Sequence, residues 1–408
     1  MYYSGELGQP NDTIISEFER QNPGVKVRII TPDPIRLSAM LAGGQPPDII
    51  RVLGAPDMPS IAARGLAVNL DPYLQRSALI KPADLLPIND VFRWDGTTQG
   101  RGPHYGVDKD WSPDATIWYN KDLFDQAGVK YPSATAPLTY DEALALGTRL
   151  TVRKNGKVQV YGFDPAFQAG GDLGMYQHTV QMLAQEGKSL LSGDQTQSDF
   201  SGSDTRKILQ WIVDYERARV GTSVLDPDPN GSFGLFLAGR LAMVTYGYWY
   251  QDYIKTASKL ATRVGLSPAP QWGSTRVSGC FTATGAWIPT SSPNKDLAWK
   301  LFEFLHGGLP ATDRATGGHG VPALKHLVPL LPQSPAYEAS FLRTLRAELP
   351  YARVLRFSPY ASHLAVNAAM QKYMTPVILG QTSLDTAAGQ LETEVNRLLR
   401  IGKAQLGS

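Results

Sequence analysis

Short β-branched runs alternate with helical patterns along the early part of the chain, and this alternation constrains the fold more than any other feature. Ile14, Ile15 and Phe18 share one face of a helix. Val25-Lys26-Val27-Arg28-Ile29-Ile30 follows, alternating with period two at its start. Asp48-Ile49-Ile50-Arg51-Val52-Leu53 reads as a buried strand, with a helical stretch around Ile61 after it. The αβαβ order predicts an α/β protein built on a mostly parallel sheet with helices on both faces. Further on, Ile208, Trp211, Ile212 and Tyr215 fall at helical spacing. The stretch 291–305 predicts a helix with Ser292 as N-cap, Pro293 at the first helical position and an apolar stripe of Leu297, Leu301, Phe304 and Leu305. Leu384, Leu391, Val395 and Leu398 mark an amphipathic helix near the end.

With 408 residues, such a chain organises as two or three domains. Hydrophobic residues at 42% and charged residues at 19% exclude wholesale disorder. Lysine and arginine nearly balance aspartate and glutamate, leaving +2, so there is no net field of the strength that draws in nucleic acid or an anionic membrane. The single cysteine, Cys280, excludes an intramolecular disulfide and a thiolate metal cluster. No apolar run reaches the roughly 18 residues that span a bilayer. The opening Met1-Tyr2-Tyr3-Ser4-Gly5 has neither a charged n-region nor an apolar h-region. That opening fits either a cytosolic protein or a mature segment whose signal has been removed, and the abrupt, strand-like start favours the second. No linker-like stretch cuts the chain cleanly, so two domains would require it to cross between them more than once.

Enzyme signatures fail on inspection. Gly187-Lys188-Ser189 ends like a phosphate loop, yet the pattern needs glycine at the position held by Met182. Neither G-x-S-x-G nor G-x-G-x-x-G occurs. None of His104, His178, His306, His319, His326 and His363 pairs with another at i, i+4 around a glutamate. Asp108, Asp110, Asp114, Glu6 and Asp57 are carboxylates that a glycoside-cleaving pair would draw on. Polar-aromatic clusters recur at the ends of predicted strands: Tyr2 to Glu6, Trp111 to Asp114, Phe163 to Gln168, and Tyr246-Gly247-Tyr248-Trp249-Tyr250. Rigid rings beside short polar groups suit a sugar, whose C–H face stacks while its hydroxyls hydrogen-bond. Each ring taken singly also fits a core position.

Several segments resemble, in order and spacing, the extracytoplasmic solute-binding proteins of bacterial ABC importers, in the carbohydrate-binding class that includes the maltose and glycerol-3-phosphate binders. They are FERQNPGVKV (18–27), LAGGQPPDII (41–50), GLAVNLDPYL (65–74), YGVDKDW (105–111), WYNKDLFDQAGV (118–129), FLAGRLAMVTYGYW (236–249), SSPNKDLAWKLFEFL (291–305) and GGHGVP (317–322). The resemblance implies a two-lobe periplasmic-binding-protein-like fold, each lobe a mixed, mostly parallel sheet flanked by helices, with a three-crossing hinge. Lobe one would take 1–111 and 286–321, lobe two 112–285 and 322–408. It implies a ligand held between the lobes by hinge closure and delivered to membrane permease subunits, by a monomer working outside the cytoplasm, either lipid-anchored or free in a periplasm. No catalytic residue, metal or cofactor is implied.

Carried over residue by residue, the resemblance makes Tyr3, Ser4 and Glu6 contacts after the first strand, and Gly54 and Asp57 contacts after the PDII strand. Trp111, Ser112 and Asp114 stand at the first crossover, Phe167 and Gln168 at a position of lobe two, and Tyr248 and Trp249 at the G-x-W segment. Thr282, Ala283 and Thr284 stand where many members carry Gly-Gly. His319 and Gly320 lie near the place of a missing aromatic, and Arg356 sits in a C-terminal loop within reach of an anionic group. The implied ligand is a neutral sugar, from mono- to oligosaccharide. A phosphorylated polyol would call for two or more basic side chains, and only Arg356 and Arg51 are on offer. A carbohydrate-cleaving enzyme and a binding lobe pair serving a sensor or scaffold are the readings from other classes.

Overall fold

The computed structural model describes residues 2–4, 12–30, 34–168, 174–257, 260–333 and 341–406. Its two main sheets use, in chain order, β1 (Tyr2–Ser4), β2 (Arg28–Ile30), β3 (Ile49–Leu53), β4 (Val107–Trp111), β5 (Ile117–Asn120), β6 (Met243–Thr245), β7 (Val264–Ser267), β8 (Thr284–Trp287) and β9 (Val321–Pro322). The helices that matter for the site are α1 (Asp12–Gln21), α2 (Gly54–Ala63), α3 (Tyr140–Leu150), α4 (Met175–Gln185), α5 (Ser203–Ala218), α6 (Lys295–Gly307), α7 (His363–Ile378) and α8 (Leu384–Leu406).

The chain divides into two units. The first comprises Met1–Trp111 and Thr282–Pro332, the second Ser112–Phe281 and Gln333–Ser408. The chain therefore passes from one to the other after Trp111, Phe281 and Pro332. The return segment expected over 286–321 is longer at both ends in the structure.

The first unit is built on a six-stranded sheet of order β9-β4-β8-β3-β1-β2. β1 runs parallel to β2 and β3, whereas β8 is antiparallel to both β3 and β4, and β9 is antiparallel to β4. The parallel arrangement is thus confined to the β1–β3 edge. The reason is connectivity: β8 and β9 come from the segment that returns from the second unit, and such strands are free to enter in either direction. Helix α1 buries Ile15 and Phe18, and the α6 residues Trp299, Phe302 and Leu305 close the same core with Ile49, Val107 and Ile288. Helix α6 starts two residues later than expected, at Lys295. Ser292 does not cap it; its hydroxyl donates to Asp48 at 2.6 Å and accepts from Asn294 N at 3.1 Å.

In the second unit β5 is central in a three-stranded antiparallel sheet of order β6-β5-β7. Parallel bridges from Tyr161 to Leu241 and from Asp164 to Val244 extend it at the β6 edge. Here too the sheet is not parallel. Trp118, fully buried on β5, packs against Tyr248, Tyr250 and Phe341, and its indole N–H donates to Tyr246 O at 3.0 Å. A capping box of Thr139 and Glu142 starts α3. Helix α8 buries Leu391, Val395 and Leu399, so the stripe expected to end on Leu398 ends on its neighbour. Among the described residues no helix is long and apolar enough to cross a membrane, and no cluster of His, Cys, Asp and Glu could hold a metal ion. Cys280 is a buried thiol.

Candidate functional site

In the second unit a polar corner forms around Gly247. A side-chain carbon at that position would lie 2.4 Å from each of Asp114 Oδ1, Ser112 Oγ and Trp249 Nε1, so three polar groups converge on one bare stretch of backbone. Asp114 is fully buried. It accepts from Phe281 N at 2.7 Å and from Ser112 Oγ at 3.0 Å, while its own amide donates to Gly279 O at 3.0 Å. Trp249 is half-buried beside this corner. Its ring centroid lies 5.5 Å from that of Tyr246, 5.9 Å from Tyr250 and 6.3 Å from Tyr253. Two of these neighbours are pinned by their hydroxyls: Tyr246 OH bonds Ser232 Oγ and Tyr250 OH donates to Phe233 O, both at 2.8 Å. Tyr253 is exposed. The result is a rigid aromatic wall that leaves part of the Trp249 ring exposed and is backed by a buried carboxylate and hydroxyl, and a sugar ring can stack on such a face.

The other residues expected in the second unit divide. Tyr248 is buried against Trp118 and Phe341 and belongs to the core. Phe167 is likewise 1% exposed, ringed by His178, Trp211 and Tyr215, and offers no face to a ligand. Its neighbour Gln168 is half-buried, and its Nε2 donates to Glu216 Oε1 at 2.7 Å. Glu216, not anticipated from the sequence, has no exposed surface, and burial pushes its carboxyl up to about 7 against the opposing pull of its hydrogen bonds. Arg356 is exposed in the loop after residues 352–354.

In the first unit β4 and the loop before β9 bring together Lys109, Asp110 and His319. Lys109 Nζ lies 3.1 Å and His319 Nε2 3.6 Å from Asp110 Oδ2, and Asp110 is 4% exposed. Gly320 sits at φ +66, and a Cβ there would meet Asp110 Cβ at 2.9 Å, so the loop approaches β4 closely only because this residue is glycine. Trp111, next on β4, is half-buried; its indole N–H is buried and makes no hydrogen bond among the described residues. Asp57 is half-buried in the first turn of α2. Gly54 and Ala55, which open that helix, give their amides to Ala283 O at 2.9 Å and Thr282 O at 3.1 Å. These N–H groups are therefore committed to the backbone, and Gly54 acts as a close-packing position: a Cβ there would strike Phe92 at 2.6 Å. Glu6 lies outside the described residues, and Tyr3 and Ser4 are described in backbone only, paired with β2 and β3.

Thr282 and Thr284 are buried, and between them Ala283 holds a left-handed backbone at φ +48, next to a register shift of β8 on β4. Glycine adopts this backbone conformation without strain. An L-residue pays about 1 kcal/mol there. Ala283→Gly is accordingly expected to leave stability unchanged or raise it by up to about 1 kcal/mol in urea unfolding, despite glycine's greater freedom in the unfolded chain. A loss above about 1 kcal/mol would contradict the strained geometry.

A groove of about 500 Å³ also opens in the second unit, lined by Asn120, Asp122, Leu123, Leu237, Gly239 and Leu260 among others. None of the expected residues lines it and it contains no aromatic ring, so its chemistry fits a sugar less well than the Trp249 corner does.

Residues 7–307 match the family model described as bacterial extracellular solute-binding protein. A protein of Brucella abortus described as a binding protein is 25% identical over 312 residues, covering 74% of this chain and 70% of that one. Among solved structures, an ABC substrate-binding protein of Listeria monocytogenes in complex with cycloalternan superposes with a TM-score of 0.80 at 23% identity, over 97% of each chain. A solute-binding protein of Thermotoga lettingae bound with α-D-tagatose gives 0.79 at 21% identity, over 98% of each. The sugar-binding protein MalE of Xanthomonas citri gives 0.72 at 20% identity, over 100% of this chain and 98% of that one.

Proposed function

The chain belongs to the bacterial extracellular solute-binding proteins, and from that premise we propose that it is the sugar receptor of an ABC importer. It captures a neutral saccharide outside the cytoplasm and hands it, chemically unchanged, to membrane permease subunits. The observation that carries the reading is the Trp249 wall over the buried Ser112–Asp114 corner at Gly247. One ring face of the sugar stacks on Trp249, and the buried Ser112–Asp114 corner beside its indole nitrogen backs that ring. A neutral ligand is the better fit because the corner at Gly247 holds a carboxylate, which would repel a phosphate ester rather than bind it.

A thermal-shift panel of tagatose, maltose, mannotriose, cycloalternan and glycerol 3-phosphate tests this. A sugar at 100 times its dissociation constant adds about 2.7 kcal/mol, a rise of several degrees. One related group of sugars is expected to stabilise the protein and to be recovered intact. Stabilisation by glycerol 3-phosphate alone would replace the sugar with a phosphorylated polyol, and a shortened oligosaccharide would make the protein an enzyme.

A further inference from the structure

We propose that Glu216 is a positioning residue for sugar recognition: its protonation turns the Gln168 side-chain amide over and so changes the hydrogen-bonding group that Gln168 presents. The inference rests on the receptor reading above and adds Gln168 to its site, because the segment that leads to Gln168 runs parallel to the strand that leads to Trp249, bridged at Asp164–Val244.

The argument starts from the two bonds the carboxyl makes. Gln168 Nε2 donates to Oε1 at 2.7 Å, and Val224 N donates to Oε2 at 2.8 Å. A backbone N–H only donates, so Oε2 must stay an acceptor in either protonation state. A proton arriving on Glu216 therefore resides on Oε1, which then becomes a donor. Facing it, the Gln168 NH2 would oppose one donor with another beside a carboxyl that has no exposed surface, where an unmet polar group is costly. Rotation of the amide by half a turn removes the conflict, because Gln168 Oε1 then accepts from the acid. The consequence is on the far side of the amide. With Glu216 ionised, Gln168 turns its carbonyl away from Glu216 and presents an acceptor. With Glu216 protonated, it presents the NH2 and becomes a donor.

The surroundings hold the carboxyl so that this is its available response. Thr222 donates both its amide and its hydroxyl to Asp164, at 2.7 and 2.5 Å, and Ala166 N donates to the same carboxylate at 2.7 Å. These bonds fasten the 220–226 loop, and with it Val224, to the segment that carries Gln168. Gly221 sits where any side chain would strike Tyr215 OH and Phe163 O, so the loop is close-packed as well as bonded. The titratable groups around the site come from every packed element. Tyr161 and Asp164 lie on the Gln168 segment, and Tyr215 and Arg217 on α5. Asp226 lies on the loop, and His178 on α4 beyond Phe167. Asp164, itself raised by burial, adds negative potential that favours the protonated form of Glu216. Arg217 is turned away, donating to the carbonyls of Val377 and Ile378 on α7. His178 is held neutral by burial, its value pushed down to about 3. The change then falls near neutral pH, where burial has moved Glu216.

The test has a ligand-free arm and a sugar arm. In protein labelled with ¹⁵N-glutamine, the Gln168 side-chain amide, assigned through Gln168→Ala, is followed between about pH 5 and 8. Its signals are expected to move with a single midpoint in the wild type. In Glu216→Gln they should rest at the acid-end position throughout, because the oxygen of the substituted amide still accepts from Val224 while its NH2 donates as the protonated acid does. Signals that stay still in the wild type, or that titrate unchanged in Glu216→Gln, would overturn the proposal. In the sugar arm, mannotriose and maltose are titrated calorimetrically near neutral pH in buffers of different ionisation enthalpy. A fraction of a proton is expected to be exchanged on binding in the wild type and none in Glu216→Gln. Binding with buffer-independent heat in the wild type would overturn the role in recognition. Heat from neither sugar would count against the sugar reading itself, and the amide titration would then decide the Glu216–Gln168 arrangement alone.

Discussion

Trp249→Ala is expected to weaken sugar binding about 30- to 1,000-fold while leaving a folded protein. The size follows from the cost of truncating a central aromatic anchor, about 2–4 kcal/mol, converted at 1.4 kcal/mol per factor of ten. The direction follows from the local geometry. The Trp249 ring is half-buried, and the neighbours that fix it, Tyr246 and Tyr250, are tied by their hydroxyls to Ser232 and Phe233. Removing the indole therefore leaves the aromatic cluster anchored and takes away the surface on which a sugar stacks. It also removes Nε1 from the Ser112–Asp114 corner at Gly247. Because only part of the ring is buried, the stability loss stays near 1–2 kcal/mol. Trp249→Phe should recover part of the affinity by keeping a stacking face. Calorimetric titration of the wild type and the two variants reads this directly, and undiminished affinity in Trp249→Ala would remove the residue from the site.

Gly162→Ala should cost the second unit about 3 kcal/mol or more. An added Cβ would lie 1.7 Å from Gly147 O, 2.5 Å from Gly147 C and 2.7 Å from Gly147 Cα. All three atoms belong to the backbone of α3, so no side-chain rotation relieves the clash, and the helix must move away from the 161–164 segment. That segment cannot yield easily either. Gly162 N and Phe163 N both donate to Val220 O, at 2.8 and 3.0 Å, and Asp164 bridges to β6. Gly193, with no atom within 4 Å of a Cβ, is the control, and Gly193→Ala should unfold like the wild type. Urea unfolding followed by tryptophan fluorescence measures both. Equal midpoints for Gly162→Ala and the wild type would contradict the close packing of α3 on this segment.

What could be read from the chain was what local pattern controls. Helical spacing located the buried faces of α1 and α5, because a stripe such as Ile208, Trp211, Ile212 and Tyr215 has no other way to be covered. The strand at 49–53 was legible for the same reason. Strand direction was not, since the antiparallel entry of β8 is set by where the chain returns from the second unit. Nor could pattern separate Phe167 from Trp249. Both sit in polar-aromatic runs, and only the tertiary neighbours decide that Phe167 is enclosed by Trp211, Tyr215 and His178 while Trp249 keeps a free part. Glu216 left a faint signal: a glutamate directly after Tyr215 on a helix whose apolar stripe is wide. Its partners Gln168 and Val224 lie on other segments, so its role needed the fold. The cluster of Lys109, Asp110 and His319 joins residues from segments far apart in the chain and was invisible as a cluster, though Asp110 and His319 were each singled out.

The central claim is capture of a sugar without chemistry, and equilibrium dialysis against the sugar that stabilises the protein most, followed by mass spectrometry of what is released on denaturation, tests it most directly. The account predicts saturable binding of one equivalent per chain, with the released sugar identical in mass to the sugar supplied. No retained sugar, or a released product of lower mass, would contradict it.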